Sequence, residues 1–315
     1  MQAASSGKDV VIVTASNATA NQLLVYNPAG TLLQTVLTGG TGGVSGNAGG
    51  IEANGNVIAV VNFGSLNVSM FERGSSGVWM TQLVPTISSP VSVAFGANHL
   101  YILGTTEVES HAMVGSSVDP TPDGEVSLVV GDGSAAQVGV LENQVIITEK
   151  SNMIETVNLF PGGAVGGIAT PVKNIPADVN APFGLVTRGN IAYVTIAHAN
   201  QISLVQDGAI QTITSSGTQS APCWVTLVGP YLFSSNSPSL SVSTYNVTGE
   251  RIVQVTAVTA TFAGDPTDIG SGEGLVAVID ASTLSIFTVG QDGSLTLQAS
   301  STEGDDALNG VAIVR

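Results

Sequence analysis

The stretch DPTDIGSGEGLVAVIDASTLSIFTVGQDGSLT, residues 265–296, holds three short apolar strands in succession. PTDIGSG (266–272) is followed by LVAVIDA (275–281) and LSIFTVG (284–290), with Gly, Asp and Ser in the turns between them. Short runs rich in β-branched residues between such turns predict antiparallel strands joined by tight hairpins. The same strand–turn–strand pattern recurs along the whole chain.

The recurrence has a period near 43 residues. First strands begin 40 to 47 residues apart, at Gly49, Ser92, Ala136, Phe183, Cys223, Pro266 and Asn309. A period of this length is typical of the blades of a β-propeller. Most second strands read as continuous apolar runs, as expected for sheets that are covered on both faces. The pattern predicts an all-β, seven-bladed propeller with four-stranded antiparallel blades and almost no helix.

The two ends of the chain complete each other. VVIVTAS (10–16) has the pattern of a second strand, and the missing first strand is NGVAIVR (309–315). We expect these strands to share the closing blade, which removes an open sheet edge. We therefore expect a single domain over residues 1–315, with a flexible tail at 1–8. The polar stretch 105–124 is predicted to be a long surface loop.

The composition limits the partners. With 23 acidic and 7 basic residues the net charge is −16, which would repel phosphate backbones and anionic lipid. Neither a nucleic-acid nor a membrane partner is expected, and the apolar runs are too short to span a bilayer. Closed edges and high like charge favour a monomer.

The compartment is predicted from composition as well. The acidic, Lys-poor chain is rich in Ser, Thr and Gly. Its first seven residues look like an initiator Met placed before the N-terminus of an already processed protein. We expect a secreted or periplasmic protein. The lone Cys223 rules out an internal disulfide and is expected to be a buried small hydrophobe.

Four segments resemble a known family. They are residues 90–103, 145–157, 220–247 and 265–296, and the most specific parts are Thr148-Glu149-Lys150 and Ala221-Pro222-Cys223-Trp224. The chain resembles the lactonase-like seven-bladed propellers, the group that includes 6-phosphogluconolactonase and 3-carboxy-cis,cis-muconate lactonizing enzyme. The resemblance implies the propeller fold and, by analogy alone, lactone chemistry.

A functional mouth is expected where two sets of turns converge on one face of the ring. Glu149, in the Thr-Glu-Lys segment, is the predicted general acid or base, and His198 at the equivalent turn of the next blade is the predicted second proton carrier. The alternatives are a carboxylate that binds turn amides and an ordinary surface histidine.

Further residues are predicted to bind the substrate at this mouth. They are Asn62, Lys150, Asn152, Phe183, Trp224, Asn236, Asp268 and Asp280. Lys150 is the one cation assigned to this face, whereas phosphorylated or polycarboxylate substrates need several Arg or Lys anchors. A neutral substrate or a cation is therefore expected.

No cofactor is required by these motifs. The recurring Asn, Asp and Glu at the turns could supply oxygen ligands to Ca²⁺, but such residues are also ordinary in turns. Two hypotheses follow. One is a lactonase-like hydrolase, or a lactonizing isomerase or lyase, acting on a neutral cyclic ester or related small molecule. The other is a non-catalytic secreted propeller that binds a small molecule, glycan or protein partner.

Overall fold

The computed structural model describes residues 10–44, 49–176, 180–249, 251–302 and 308–315. Over these ranges the chain is almost entirely β-structure, and the helical part consists of two single 3₁₀ turns, Phe63–Ser65 and Ala197–Ala199. Nowhere in these ranges is a helix both apolar enough and long enough to cross a bilayer. The predicted flexible tail, residues 1–8, lies outside the described residues.

The strands are numbered β1 to β29 along the chain. They are β1 (Val11–Ala15), β2 (Gln22–Tyr26), β3 (Leu32–Leu37), β4 (Ile51–Asn54), β5 (Val57–Asn62), β6 (Asn67–Gly74), β7 (Gly77–Pro85), β8 (Ser92–Gly96), β9 (His99–Leu103), β10 (Glu107–Val114), β11 (Ser117–Val118), β12 (Gly124–Ser127), β13 (Ala135–Val140), β14 (Gln144–Glu149), β15 (Met153–Leu159), β16 (Val165–Pro171), β17 (Pro182–Arg188), β18 (Ile191–Ile196), β19 (Gln201–Gln206), β20 (Ala209–Ser215), β21 (Pro222–Val228), β22 (Tyr231–Asn236), β23 (Ser241–Asn246), β24 (Val253–Thr261), β25 (Pro266–Gly272), β26 (Leu275–Asp280), β27 (Thr283–Val289), β28 (Leu295–Thr302) and β29 (Asn309–Val314).

Seven antiparallel sheets form the blades of a ring. Blade 1 has the order β29-β1-β2-β3, blade 2 is β4 to β7, and blade 3 is β8 to β12. Blades 4 to 7 follow with four consecutive strands each, ending at β28. The predicted seven-bladed propeller is confirmed, and six of the seven first strands begin within one residue of the predicted positions; β4 begins two residues later.

The second strand of each blade is the most deeply buried. All six residues of β5 and all five of β1 and β9 are buried, whereas β3 on the rim of the ring is mostly exposed. The second strand lies between neighbouring blades on both faces, so it takes apolar residues at consecutive positions. Outer strands have one solvated face, and their burial alternates.

Glycine permits the first strands to converge on the axis of the ring. A Cβ on Gly270 would lie 2.5 Å from the carbonyl oxygen of Val311 in the adjacent first strand, and one on Gly184 would overlap the carbonyl oxygen of Cys223. Only a residue without a side chain fits at such backbone approaches. These contacts set the width of the central channel.

The ends of the chain close the ring as expected. β29 pairs antiparallel with β1, with Ile313 opposite Ile12 and Ala312 opposite Val13. Arg73 of blade 2 donates to the carbonyl oxygen of Val314 at 2.8 Å. The last strand is therefore held by both of its neighbours in the ring.

The predicted surface loop at 105–124 is wrong. Residues 107–114 form β10, the third strand of blade 3, and β11 lies within the same stretch. Its polar side chains Glu107, Glu109 and His111 alternate along the strand and are buried. The Ser88 hydroxyl donates to Glu107 at 2.5 Å, and the Ile87 amide donates to Glu109 at 3.4 Å. Because these buried polar side chains make hydrogen bonds, they can occupy a strand. Their polar composition alone suggests a loop.

Candidate functional site

A cavity of about 320 Å³ occupies the centre of the ring. Its walls come from the first strands of blades 1, 2, 4, 5, 6 and 7, and an adjoining cavity of about 170 Å³ reaches blade 3. Glu52 and Gln137 line both cavities. First strands pair on one side only, so their other edge faces the channel with backbone N–H and C=O groups. Pockets for small ligands start at roughly 300 Å³, so the channel can accept one.

Two carboxyl groups line the main cavity, Glu52 of β4 and Asp268 of β25. Asp268 is buried, with 5% of its surface exposed, and its carboxylate accepts the amide of Ile269 at 2.8 Å. Burial, and to a smaller extent the nearby Glu52 carboxyl, raise the pKa of Asp268 to about 8, although the backbone amides of Ile269, Val311 and Gly49 partly oppose the shift. The Asp268 carboxyl therefore holds a proton at neutral pH.

Glu52 differs from Asp268 in its contact with solvent. Its side chain is exposed to water in the lumen, yet the channel walls surround it closely. This enclosure strips part of the carboxylate's hydration and raises the pKa of Glu52 to about 7. Like charges in one cavity disfavour joint ionisation, so the two carboxyls titrate as a coupled pair.

An aromatic cluster lies in the core beside the channel. Trp224, 5% exposed, lines the cavity, and the Phe183 ring meets it edge-on with centroids 5.2 Å apart. The Lys150 Nζ lies 5.7 Å from the centroid of Phe183, and burial lowers the pKa of this lysine. Of the predicted substrate-binding residues, the structure thus brings Lys150, Phe183 and Trp224 into one cluster, and Trp224 and Asp268 into one cavity.

The channel is acidic and lacks cations. Among the described residues that line the two cavities there is no Lys, Arg or His. Arg188, at the end of β17, donates to the carbonyl of Gly229. An anionic ligand in the cavity would therefore face two carboxyl groups without a compensating charge.

Glu149 is fully buried at the end of β14, outside the lining of both cavities. Its two carboxylate oxygens accept the amides of Val130 and Gly131 at 3.1 and 2.9 Å. Burial raises the pKa of Glu149, and the hydrogen bonds from the two backbone amides partly offset that rise. In this arrangement the carboxylate fixes the connection that leads from blade 3 into blade 4.

His198 lies in the exposed 3₁₀ turn between β18 and β19. Its backbone amide donates to the carbonyl of Asn180 at 3.2 Å, and the side chain does not line either channel cavity. No hydrogen bond or ion pair joins His198 to Glu149 in the described part of the chain. The two predicted proton carriers thus make no direct polar contact among the described residues, and their pairing stays a prediction.

The remaining predicted binding residues hold turns. Asn62 accepts the Thr38 hydroxyl at 2.7 Å, and Asp280 accepts the Gly264 amide at 3.4 Å. Both contacts tie the end of a second strand to the connection from the preceding blade. Asn152 accepts the Ala181 amide at 3.2 Å, and Asn236 donates to hydroxyls of the neighbouring strand. Each of these four side chains makes at least one hydrogen bond within the protein, and their predicted role in binding stays a prediction.

Calcium ligation by the Asn, Asp and Glu side chains of these turns stays a prediction. Within the described ranges, no group of three or more His, Cys, Asp or Glu side chains is placed to hold a metal ion.

Cys223 is buried, and its thiol contacts the carbonyl oxygen of Ala221 at 3.1 Å. Burial raises the pKa of this thiol, which keeps it protonated.

Sequence reasoning missed Glu52. Once the first strands are placed, a signal for it exists, because Glu52 and Asp268 are the only carboxyl side chains in the seven first strands β4, β8, β13, β17, β21, β25 and β29. Acidic residues are uncommon in strands that face a core. Their position on the channel edge identifies them as the polar groups to consider first.

Comparison with known proteins supports the fold. No protein-family model and no curated protein sequence matches the chain. Among solved structures, a proposed 6-phosphogluconolactonase of Bacteroides fragilis superposes with a TM-score of 0.72 at 12% identity, over 100% of both chains. One from Bacteroides uniformis gives 0.73 at 13% identity, covering 98% of this chain and 100% of that chain.

A protein of unknown function from Desulfotomaculum acetoxidans superposes equally well, with a TM-score of 0.75 at 12% identity over 98% of this chain and 99% of that chain. Structural matches at such low sequence identity show a shared architecture and do not show a shared activity. The expected resemblance is confirmed at that level: the chain has the seven-bladed fold of the lactonase-like propellers.

Proposed function

We propose that the protein is a lactonase-like hydrolase that opens a neutral cyclic ester in the central channel. The observation that carries the proposal is a ligand-sized cavity whose described lining residues include two carboxyl groups and no cationic side chain. Hydrolysis of a lactone needs a base for water and an acid for the ring oxygen, and carboxyl groups can supply both. The fold shared with proposed 6-phosphogluconolactonases supports this class of reaction by analogy.

The charge of the channel supports a neutral substrate. A phosphate dianion would be repelled by ionised Glu52, and the Arg or Lys fork that such a group needs is missing from the described lining.

The test is base consumption in a pH-stat against neutral five- and six-membered lactones, with a phosphorylated lactone beside them. We expect turnover of a neutral lactone and none of the phosphorylated one. Thr187 lines both cavities, so the larger side chain of a Thr187→Phe variant would occupy their space and should abolish turnover. Thr288→Phe, which adds the same ring on the exposed outer part of β27, is the matched control and should stay active.

Two outcomes would contradict the proposal. If folded wild-type protein turns over none of the lactones, a non-catalytic propeller that binds its ligand at the same channel becomes the better hypothesis. If Thr187→Phe keeps full activity, the reaction takes place outside the channel. In that case the Glu149 and His198 pair would be tested next, through Glu149→Gln.

A further inference from the structure

We infer that Glu52 and Asp268 are the two proton carriers of this hydrolysis, with Glu52 as the base for water and Asp268 as the acid for the leaving oxygen. The assignment rests on the proposed function and adds to it the residues that perform the chemistry. It starts from placement, since these two groups come from blades 2 and 7 yet face one cavity.

The surroundings of each group distinguish their roles. Glu52 is exposed to the water of the lumen, where an attacking water molecule would enter. Asp268 is buried in the wall, and its carboxyl is oriented by the amide of Ile269. A base needs access to water, whereas an acid needs a fixed direction towards the oxygen that leaves.

No other titratable side chain lines either cavity in the described part of the chain. The neighbouring polar groups are neutral: Gln137, Thr187, Thr226 and Ser271. The Thr226 and Ser271 hydroxyls lie 2.7 Å apart, and Ser271 donates to the carbonyl of Leu227 at 2.9 Å. Glu52 and Asp268 can therefore exchange protons with each other, with water and with the substrate, without a third ionisable side chain in the described lining.

The reaction balances with water as the only co-reactant. Ionised Glu52 takes a proton from water while the water oxygen bonds to the ester carbonyl carbon. As the bond between that carbon and the ring oxygen breaks, protonated Asp268 gives its proton to the ring oxygen. The product is a hydroxy acid, and transfer of the proton from Glu52 to Asp268 restores the starting state.

This scheme requires one proton on the pair. Below the lower apparent pKa of the pair both groups are protonated and no base remains, and above the higher one both are ionised and no acid remains. Burial raises the pKa of Glu52 to about 7, and burial together with repulsion from Glu52 raises that of Asp268 to about 8. We therefore expect a narrow, bell-shaped pH profile of kcat/KM with its maximum between them.

The variants are Glu52→Gln, Asp268→Asn and the double variant, assayed on the best neutral lactone. Each single change should lower kcat by about 100- to 10,000-fold. The double variant should lose little more than the worse single variant, because the groups act as a unit. Glu52→Gln should also remove the acidic limb of the pH profile, since that limb reports ionisation of the base.

A second measurement is independent of activity. The ¹³C chemical shift of the Asp268 carboxyl, followed from pH 5 to 10, should titrate at a lower pH in Glu52→Gln than in the wild type, because the repelling charge is gone. This readout stays informative if Asp268→Asn fails to fold, as the carboxyl also contacts blades 1 and 2 near Val311 and Gly49.

Each failure points to a different conclusion. A folded Glu52→Gln with wild-type kcat/KM overturns the assignment and leaves the hydrolase proposal standing. Loss of activity in Glu149→Gln together with retention in Glu52→Gln would move the proton carriers to Glu149. Absence of turnover in the wild type overturns both proposals, and an unchanged Asp268 titration in Glu52→Gln shows that the two carboxyls are not coupled.

Discussion

A buried carboxyl in blade 4 should make the protein less stable as the pH rises. Glu155 on β15 is fully buried, and its Oε2 accepts the Val129 amide at 2.9 Å. Its Oε1 has no hydrogen-bond partner among the residues that the structure describes, and the Glu149 carboxyl lies nearby. Burial, and to a smaller extent repulsion from Glu149, raise the pKa of Glu155 to about 7.

The sign of the effect follows from proton linkage. In the unfolded chain Glu155 ionises near its ordinary pKa of 4.5, whereas the folded protein keeps the proton until about pH 7. The contribution to stability is therefore fully present below pH 4.5 and is lost as the pH rises through 7. The interval between the two pKa values corresponds to about 3 kcal/mol of unfolding free energy.

The perturbation is Glu155→Gln. Glutamine has the shape of the protonated carboxyl, can still accept the Val129 amide, and does not ionise. At pH 4.5 the variant and the wild type should have nearly equal stability. At pH 8 the variant should be more stable by about 3 kcal/mol, because it avoids a buried charge.

The assay is urea unfolding at a series of pH values from 4.5 to 8, with the free energy obtained by linear extrapolation. Glu142→Gln, at an exposed carboxyl in the β13–β14 hairpin, is the control and should differ from wild type by less than about 0.5 kcal/mol throughout. A difference between Glu155→Gln and wild type that stays constant with pH would refute the reasoning, because it would show that Glu155 is ionised in the folded protein.

Three further predictions concern the fold. Gly184→Ala should cost about 1–3 kcal/mol in urea unfolding, because its Cβ would overlap the backbone of the next blade, whereas Gly264→Ala, where the nearest atom would be 3.8 Å away, should cost less than about 1 kcal/mol. Asn62→Ala should cost about 3 kcal/mol, since it removes hydrogen bonds to Thr38 and three other buried or partly buried groups, while exposed Asn56→Ala should stay within about 0.5 kcal/mol by the same measurement. Deletion of residues 309–315 should produce aggregates in size-exclusion chromatography, since β1 would become an open edge; a folded variant that elutes at the volume of the full-length protein would contradict this.

Local sequence pattern was sufficient for the architecture. Runs such as VIAVVN (57–62) between Gly and Asn turns predicted the second strands, and the period of the first strands predicted seven blades. Both signals depend on a few consecutive residues, which is why they can be read along the chain. The longer strand in the stretch predicted to be a loop, Glu107–Val114, carries buried polar residues whose partners in the preceding connection cannot be inferred from its own sequence.

The candidate site required the tertiary structure. The sequence predicted Trp224 and Asp268 at the channel and gave Glu149 a catalytic role, but it could not show that the Val130 and Gly131 amides occupy the Glu149 carboxylate. Glu52 and Asp268 lie far apart along the chain, and they share a cavity because the ring closes between blades 7 and 2. Strand positions are set by local periodicity and turn chemistry, whereas the pKa of a carboxyl depends on which groups the closed ring places beside it.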